Sequence, residues 1–181
     1  ATTGTVTVSN AQTVSGTQSQ VTAALVTAAS QVVMGSASTA TVSNATTVAL
    51  GAPIANTTNV TASFTAGISD TLTNLAASGA AKTNFTSITA DQPAVVVTIS
   101  NTAGGTMTAA DLSAVGNATT GTVTVSNAQT VTGTPTQVTA ALVTAATKVV
   151  MGAASTATIT ASTDAATGAA IAPTSNVTAS F

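Results

Sequence analysis

Residues 1–64 align with residues 118–181 at a constant offset of 117 and without a gap, and 48 of the 64 aligned positions are identical. A chain that repeats itself in this way is built from like modules, each of which buries its apolar face against a neighbour. The run ATTGTVTVSNAQTV occurs at 1–14 and again at 118–131, and QVTAALVTAA at 20–29 and 137–146. The substitutions between copies are mostly close in volume and polarity: Ser15 against Thr132, Ser30 against Thr147, Val42 against Ile159. They concentrate at 42–58 against 159–175. Residues 1–117 are therefore one full repeat unit, and 118–181 are the first half of a second. The expectation is a chain cut from, or polymerising into, a longer array.

A finer period lies inside the unit. The tetrapeptide Thr-Val/Ile-Ser-Asn occurs at 7–10, 41–44, 98–101 and 124–127. Its β-branched residues suit a pleated strand, and Asn suits the turn that follows. Helix starts come next. Thr17-Gln18-Ser19-Gln20 is a capping box in which the Thr17 hydroxyl accepts from the Gln20 amide and the Gln20 side chain reaches back. Thr134 and Gln137 keep the box in the second copy, with Pro135 at the first helical position, where its missing N–H costs nothing. Helical spacing then places Val21, Ala24, Leu25 and Ala28 on one face, matched by Val138, Ala141, Leu142 and Ala145. Weaker helix patterns span 108–116, capped by Thr108 and stopped by Gly116, and 69–79, stopped by Gly79.

The unit thus reads as about four strand–turn–helix modules of roughly 29 residues each, a length typical of solenoid repeats. The expected fold is a repeat solenoid of parallel strand–turn–short helix coils, an α/β solenoid. The runner-up is an all-strand β-solenoid, since stretches such as 156–163 (TATITAST) are strand-like. The core must be filled by small residues and by Met34, Met107 and Met151, and each buried methylene contributes only about 0.8 kcal/mol. Stacking of neighbouring coils or molecules would supply the remainder.

Composition narrows the function. Charged residues are 3% of the chain, against about 25% in ordinary soluble domains. Lys82 and Lys148 are the basic residues; Asp70, Asp91, Asp111 and Asp164 are the acids; Phe64, Phe85 and Phe181 are the aromatics. Two lysines cannot neutralise a phosphate backbone, so nucleic acid is set aside. Without His or Cys there is no zinc or copper site of the usual kind, and no disulfide framework. The calcium-solenoid pattern is approached only at Ala103-Gly104-Gly105-Thr106, which lacks its Asp. Apolar runs such as 21–29 fall short of the ~18 residues that a membrane span needs. Asp70 and Asp111 read as helix amino-end carboxylates, and no His exists to activate a Ser or Thr. No catalytic, cofactor-binding or metal residue is expected, nor a small-molecule substrate.

The strings VTVSNAQTVTGTPTQVTAALVTA (123–145) and VVVTISNTAGGTMTAADLSAVGNATTGTV (95–123) resemble Thr/Ala-rich tandem repeats of very long cyanobacterial and other bacterial cell-surface proteins. Those repeats carry V-T-L/V-S-D/N-T-x-x-T, a short Ala-Asp-Leu helix, N-T-T-G-T-V and a G-T-x-x-x-V helix. The resemblance covers chiefly 1–30 and 95–147. It implies export, a cell-surface or matrix location and a structural or adhesive role. This chain has Asn10, Asn44, Asn101 and Asn127 where those repeats often have Asp.

The resulting expectation is a non-catalytic repeat of an extracellular filament, sheath or surface layer. Its partners are copies of itself, joined through stacked coils and lateral Thr/Ala/Val faces. The alternatives are an ice-binding Thr array, suggested by pairs such as Thr5 and Thr7 or Thr122 and Thr124, and a passive spacer in a giant surface adhesin.

Overall fold

Short β-branched runs become strands because their alternate side chains can face a common core while the others face out. A computed structural model describes residues 4–28, 32–144 and 149–181. In chain order, β1 (Val6–Thr7), β2 (Thr13–Gly16) and α1 (Gln18–Thr22), extended by a π-helical turn at Ala23–Thr27, form a first module. The second is β3 (Val32–Val33), β4 (Ser38–Val42) and α2 (Val48–Ala55). The third is longer: β5 (Val60–Phe64), β6 (Ile68–Asp70), α3 (Leu72–Leu75), the hairpin β7 (Ala76–Ala77) and β8 (Ala80–Ala81), and α4 (Thr83–Asp91). The fourth is β9 (Val97–Ile99), β10 (Thr106–Thr108) and α5 (Ala109–Ala118).

The second copy then reproduces the first. It has β11 (Val123–Val125), β12 (Thr130–Gly133), α6 (Pro135–Thr139) with a π-helical turn at Ala140–Thr144, β13 (Val149–Val150), β14 (Ser155–Ile159), α7 (Ala165–Ile171) and β15 (Val177–Ser180). The result is an α/β fold with several parallel sheets, seven α-helices among the described residues and no closed barrel.

Each strand pairs in parallel with the equivalent strand of an adjacent module. The sheet β2–β4–β5 aligns Thr13, Thr39 and Thr61. The sheet β6–β9–β11–β13 aligns Ile68, Val97, Val123 and Val149, and Thr46 bridges to Ile68 at its start. The sheet β10–β12–β14–β15 aligns Thr106, Thr130, Thr156 and Thr178, and β1 pairs with β3. Parallel neighbours need a crossover, and most of these crossovers pass through a helix. The exception is the antiparallel β7–β8 hairpin.

Alternation along each strand builds one continuous core. In β4, Ser38, Ala40 and Val42 point in while Thr39 and Thr41 do not. Leu25, Phe64, Leu75, Phe85, Ile88, Leu112 and Leu142 join the same buried cluster. Successive modules come so close that a Cβ on Gly35 would stand 2.5 Å from the Asn10 carbonyl oxygen, and one on Gly152 would stand 2.4 Å from that of Asn127.

Several sequence expectations are corrected. The helices rule out the all-strand alternative. The 69–79 helix shrinks to the single turn α3, and Gly79 (φ +76°) follows Ser78 (φ +54°) in the hairpin turn instead of ending a helix. Two successive positive φ values are what a tight two-residue hairpin requires. Gly116 lies inside α5, which runs on to Ala118. Ala24 is exposed although its counterpart Ala141 is fully buried, because α5 packs against the second π-helical turn. Ala145 and Lys148 lie outside the described residues. Helices α2, α4 and α7 had no recognised sequence signal.

Candidate functional site

The cap residues sit where helix-end physics puts them. The Thr17 amide donates to Gln20 Oε1 at 2.9 Å, and the Gln20 amide donates to Thr17 Oγ1 at 3.4 Å. The Thr134–Gln137 box repeats this at 3.0 Å and 3.4 Å. Thr108 Oγ1 accepts from the Asp111 amide at 3.2 Å, and Asp111 Oδ1 also accepts from the Gly79 amide at 2.7 Å, tying the hairpin turn to α5.

A second set of caps crosses between modules. Asn44 Oδ1 accepts from the Gln18 amide at 2.6 Å, Asn101 Oδ1 from the Leu72 amide at 2.8 Å, and Asp70 Oδ2 from the Val48 amide at 3.0 Å. Each donor is the first residue of a helix, where no intrahelical acceptor exists. The acceptor comes from the strand end of the following module. Asp70 is buried and also accepts from the Thr71 amide and from Asn74 Nδ2, so one carboxylate serves two helix starts. The sequence reading treated these asparagines as turn formers only. Their recurrence behind each strand was the available signal, but the distance to their partners, 26 and 29 residues, hid the role. Asn127 differs: its Nδ2 donates to the Asn101 carbonyl oxygen.

The edge of β5 is closed by side chains. Its Ala62 and Phe64 amides donate to Asp91 Oδ2 at 2.7 Å and Gln92 Oε1 at 2.6 Å. These two residues at the end of α4 stand where a further strand would otherwise lie, and an unpaired strand edge is a template for association. The remaining acid, Asp164, caps α7: its Oδ1 accepts from the Thr167 amide at 2.7 Å. That backbone hydrogen bond, with a smaller contribution from the Thr167 side chain, holds its carboxyl below the ordinary carboxylate range. All four Asp carboxylates thus carry structural hydrogen bonds, and Lys82 lies exposed at the start of α4.

The most ordered surface feature is a set of hydroxyl ladders. The outward positions of β2, β4 and β5 are Thr13 and Ser15, Thr39 and Thr41, Thr61 and Ser63. Those of β10, β12, β14 and β15 are Thr106 and Thr108, Thr130 and Thr132, Thr156 and Thr158, Thr178 and Ser180. Hydroxyls join across the strands, Thr13 to Thr39 at 2.9 Å and Thr130 to Thr156 at 3.0 Å. Threonines unevenly spaced along the chain therefore come into register in space, whereas Thr7 and Thr124, from the pairs picked out in the sequence, lie on β1 and β11, outside these ladders. Among the described residues no group of three His, Cys, Asp or Glu side chains converges, and no helix is long and apolar enough to cross a membrane.

No protein-family model matches this chain, and no curated protein or solved structure is significantly similar to it.

Proposed function

We propose that the modules stack as the coils of a solenoid, and that the chain is a non-catalytic structural repeat of an extracellular or cell-surface filament, sheath or layer. The observation that carries this reading is the register. Strand after strand pairs with its counterpart 22 to 29 residues away, all in parallel, with hydroxyl on hydroxyl and apolar on apolar at most positions. A parallel stack of this kind has a direction and two open ends, and it gains stability with each added neighbour. The inter-module caps at Asn44, Asn101 and Asp70 reinforce the same axis. With charged residues at 3% of the chain, identical surfaces approach without strong repulsion, and the hydroxyl grid offers lateral contacts. The resemblance to bacterial surface repeats supports a role outside the cell.

The test is electron microscopy of purified chain over a range of concentrations. Thin fibres with an axial repeat set by the 117-residue unit are expected. Discrete short particles at every concentration would replace the filament with the spacer role.

The hydroxyl grid favours a second reading, ice binding. Strand geometry repeats the threonine positions about 7 Å apart along a strand and about 4.8 Å apart between strands, close to the repeat spacings of hexagonal ice, although the hydroxyls of Thr13 and Thr39 themselves close to 2.9 Å. A thermal-hysteresis assay decides it. Activity that disappears in Thr156→Lys would support ice binding, and none in the wild type would dismiss it.

A further inference from the structure

The first and fifth modules have nearly the same sequence and opposite surroundings. Val123 is fully buried and Val6 is 42% exposed; Gln129 is 2% exposed and Gln12 lies on the surface. Val131 and Ala141 are fully buried, whereas Val14 is half-buried and Ala24 exposed. The fourth module makes this difference. Its β9 sets Val97 beside Val123, and β10 sets Met107 beside Val131. The Thr102 carbonyl oxygen accepts from Gln129 Nε2 at 2.8 Å. Ala109 comes so near the backbone that a Cβ on Gly133 would lie 2.9 Å from its own, which explains a glycine there. Gly16 keeps that glycine in the first module, where the nearest atoms to such a Cβ belong to its own Gln20.

We propose that the outer face of the first module, formed by β1, β2 and α1, is a docking face for a module of the 95–118 type supplied by another unit of the same repeat. This rests on the stacked-repeat reading and names the occupant. The face keeps most of the residues that the internal contact uses, with Ser15 in place of Thr132. Val6 and Val8 correspond to Val123 and Val125, Val14 to Val131, and Gly16 admits a small residue such as Ala109. Gln12 is placed to donate to a carbonyl like that of Thr102. The incoming module must therefore bring a Val-Thr-Ile strand, a Met-centred second strand and an Ala-rich helix start. Charge plays no part, because the internal contact contains no ion pair among these residues. The existing contact is the template, so occupancy would continue the same two sheets.

The experiment places residues 95–117 directly ahead of Ala1 of the full chain. Because Ala1 corresponds to Ala118, this recreates the natural junction. Hydrogen exchange is then followed by mass spectrometry in peptides that contain Ser15 or Thr132, which distinguish the copies. In the original chain, amides of residues 6–16 exchange faster than those of 123–133. In the extended chain they slow about tenfold or more, approaching the second copy, as local opening becomes coupled to the added module. The variant Ala24→Lys, a surface change in the original chain, abolishes that gain. Unchanged exchange at 6–16 while 123–133 stay protected overturns the proposal, as does protection that survives Ala24→Lys. A general loss of protection also counts against it, since a matching module would not disturb the fold. Fibre formation by the same extended chain is scored separately, so docking without fibres would sink the filament role and leave the docking face standing.

Discussion

The two copies of the repeated sequence, 1–64 and 118–181, are covered on opposite sides. The first copy lies under α4, so Val48 is 3% and Phe64 1% exposed, whereas the corresponding Ala165 lies on the surface and Phe181 is 62% exposed. At the other end the order reverses, with Val123 buried and Val6 exposed. Residues at equivalent positions of the two copies thus contribute differently to stability, because area removed from water depends on what stands next to it. The comparison also shows which substitutions belong together. Gln18, whose amide is capped by Asn44, becomes Pro135; Asn44 becomes Ala161. Donor and acceptor disappear as a pair, leaving no unsatisfied group.

The sharpest way to break this comparison is to truncate the same aromatic twice. Phe64→Ala removes a fully packed ring and is expected to cost about 3–5 kcal/mol. Phe181→Ala acts at an exposed position and is expected to change stability by less than about 0.5 kcal/mol. Denaturant unfolding of both variants measures the difference. Equal losses would mean that the two copies share one environment in solution.

The paired substitution gives a smaller and more specific test. Asn44→Ala leaves the first amide of α1 without its partner and should cost about 1 kcal/mol. In a Gln18→Pro background the same change should cost almost nothing, because no N–H remains to be capped. Ala161→Asn should likewise gain nothing opposite Pro135. A double-mutant cycle over Gln18 and Asn44 reads the coupling directly. Next in size is backbone strain that both copies share. Ala37 (φ +62°) and Ala154 (φ +63°) occupy the left-handed region. Replacing either by Gly should stabilise by about 0.5 kcal/mol, strain relief exceeding the added chain entropy. Thermal melting of the two single variants should give matching upward shifts, and a shift at one site alone would break the equivalence of the copies.

How much of this was legible in the sequence depended on where each signal's partner lay. Thr17 with Gln20 and Thr134 with Gln137 signal within four residues, and their helices start where the sequence says. Helix α2 could not be read this way. Thr47 at its cap makes no side-chain cap bond, Gly51 and Pro53 weaken its pattern, and its acceptor is Asp70, 22 residues further on. Helix α4 begins after Lys82, again with no side-chain cap. Gly79 misled because glycine serves hairpin turns and helix ends alike. The hydroxyl grid was hidden for a related reason: module lengths vary, so threonines at uneven spacing in the chain come into register only after the strands pair. Composition and the 117-residue offset pointed to like modules, while the contacts between modules required the structure.

The finest distinction between the copies is at the start of α2 and α7, where Thr47 is replaced by Asp164. The first copy borrows the Asp70 carboxylate; the second carries its own, and the Thr167 amide holds that carboxyl below its ordinary value of 3.8. A carboxyl whose folded pKa is depressed binds its proton less readily in the folded state than in the unfolded one. Its stabilisation is therefore fully present above about pH 3.8 and is lost as pH falls through the folded value. Asp164 is fully exposed, so salt screens the effect and it is the smallest of the four. Its signature is differential. NMR titration should place the Asp164 carboxyl midpoint below 3.8, and Asp164→Asn, which keeps a capping oxygen, should flatten the acid dependence of amide protection in 165–171 while leaving 48–55 unchanged. A midpoint at or above the ordinary value would show that the cap does not form in solution.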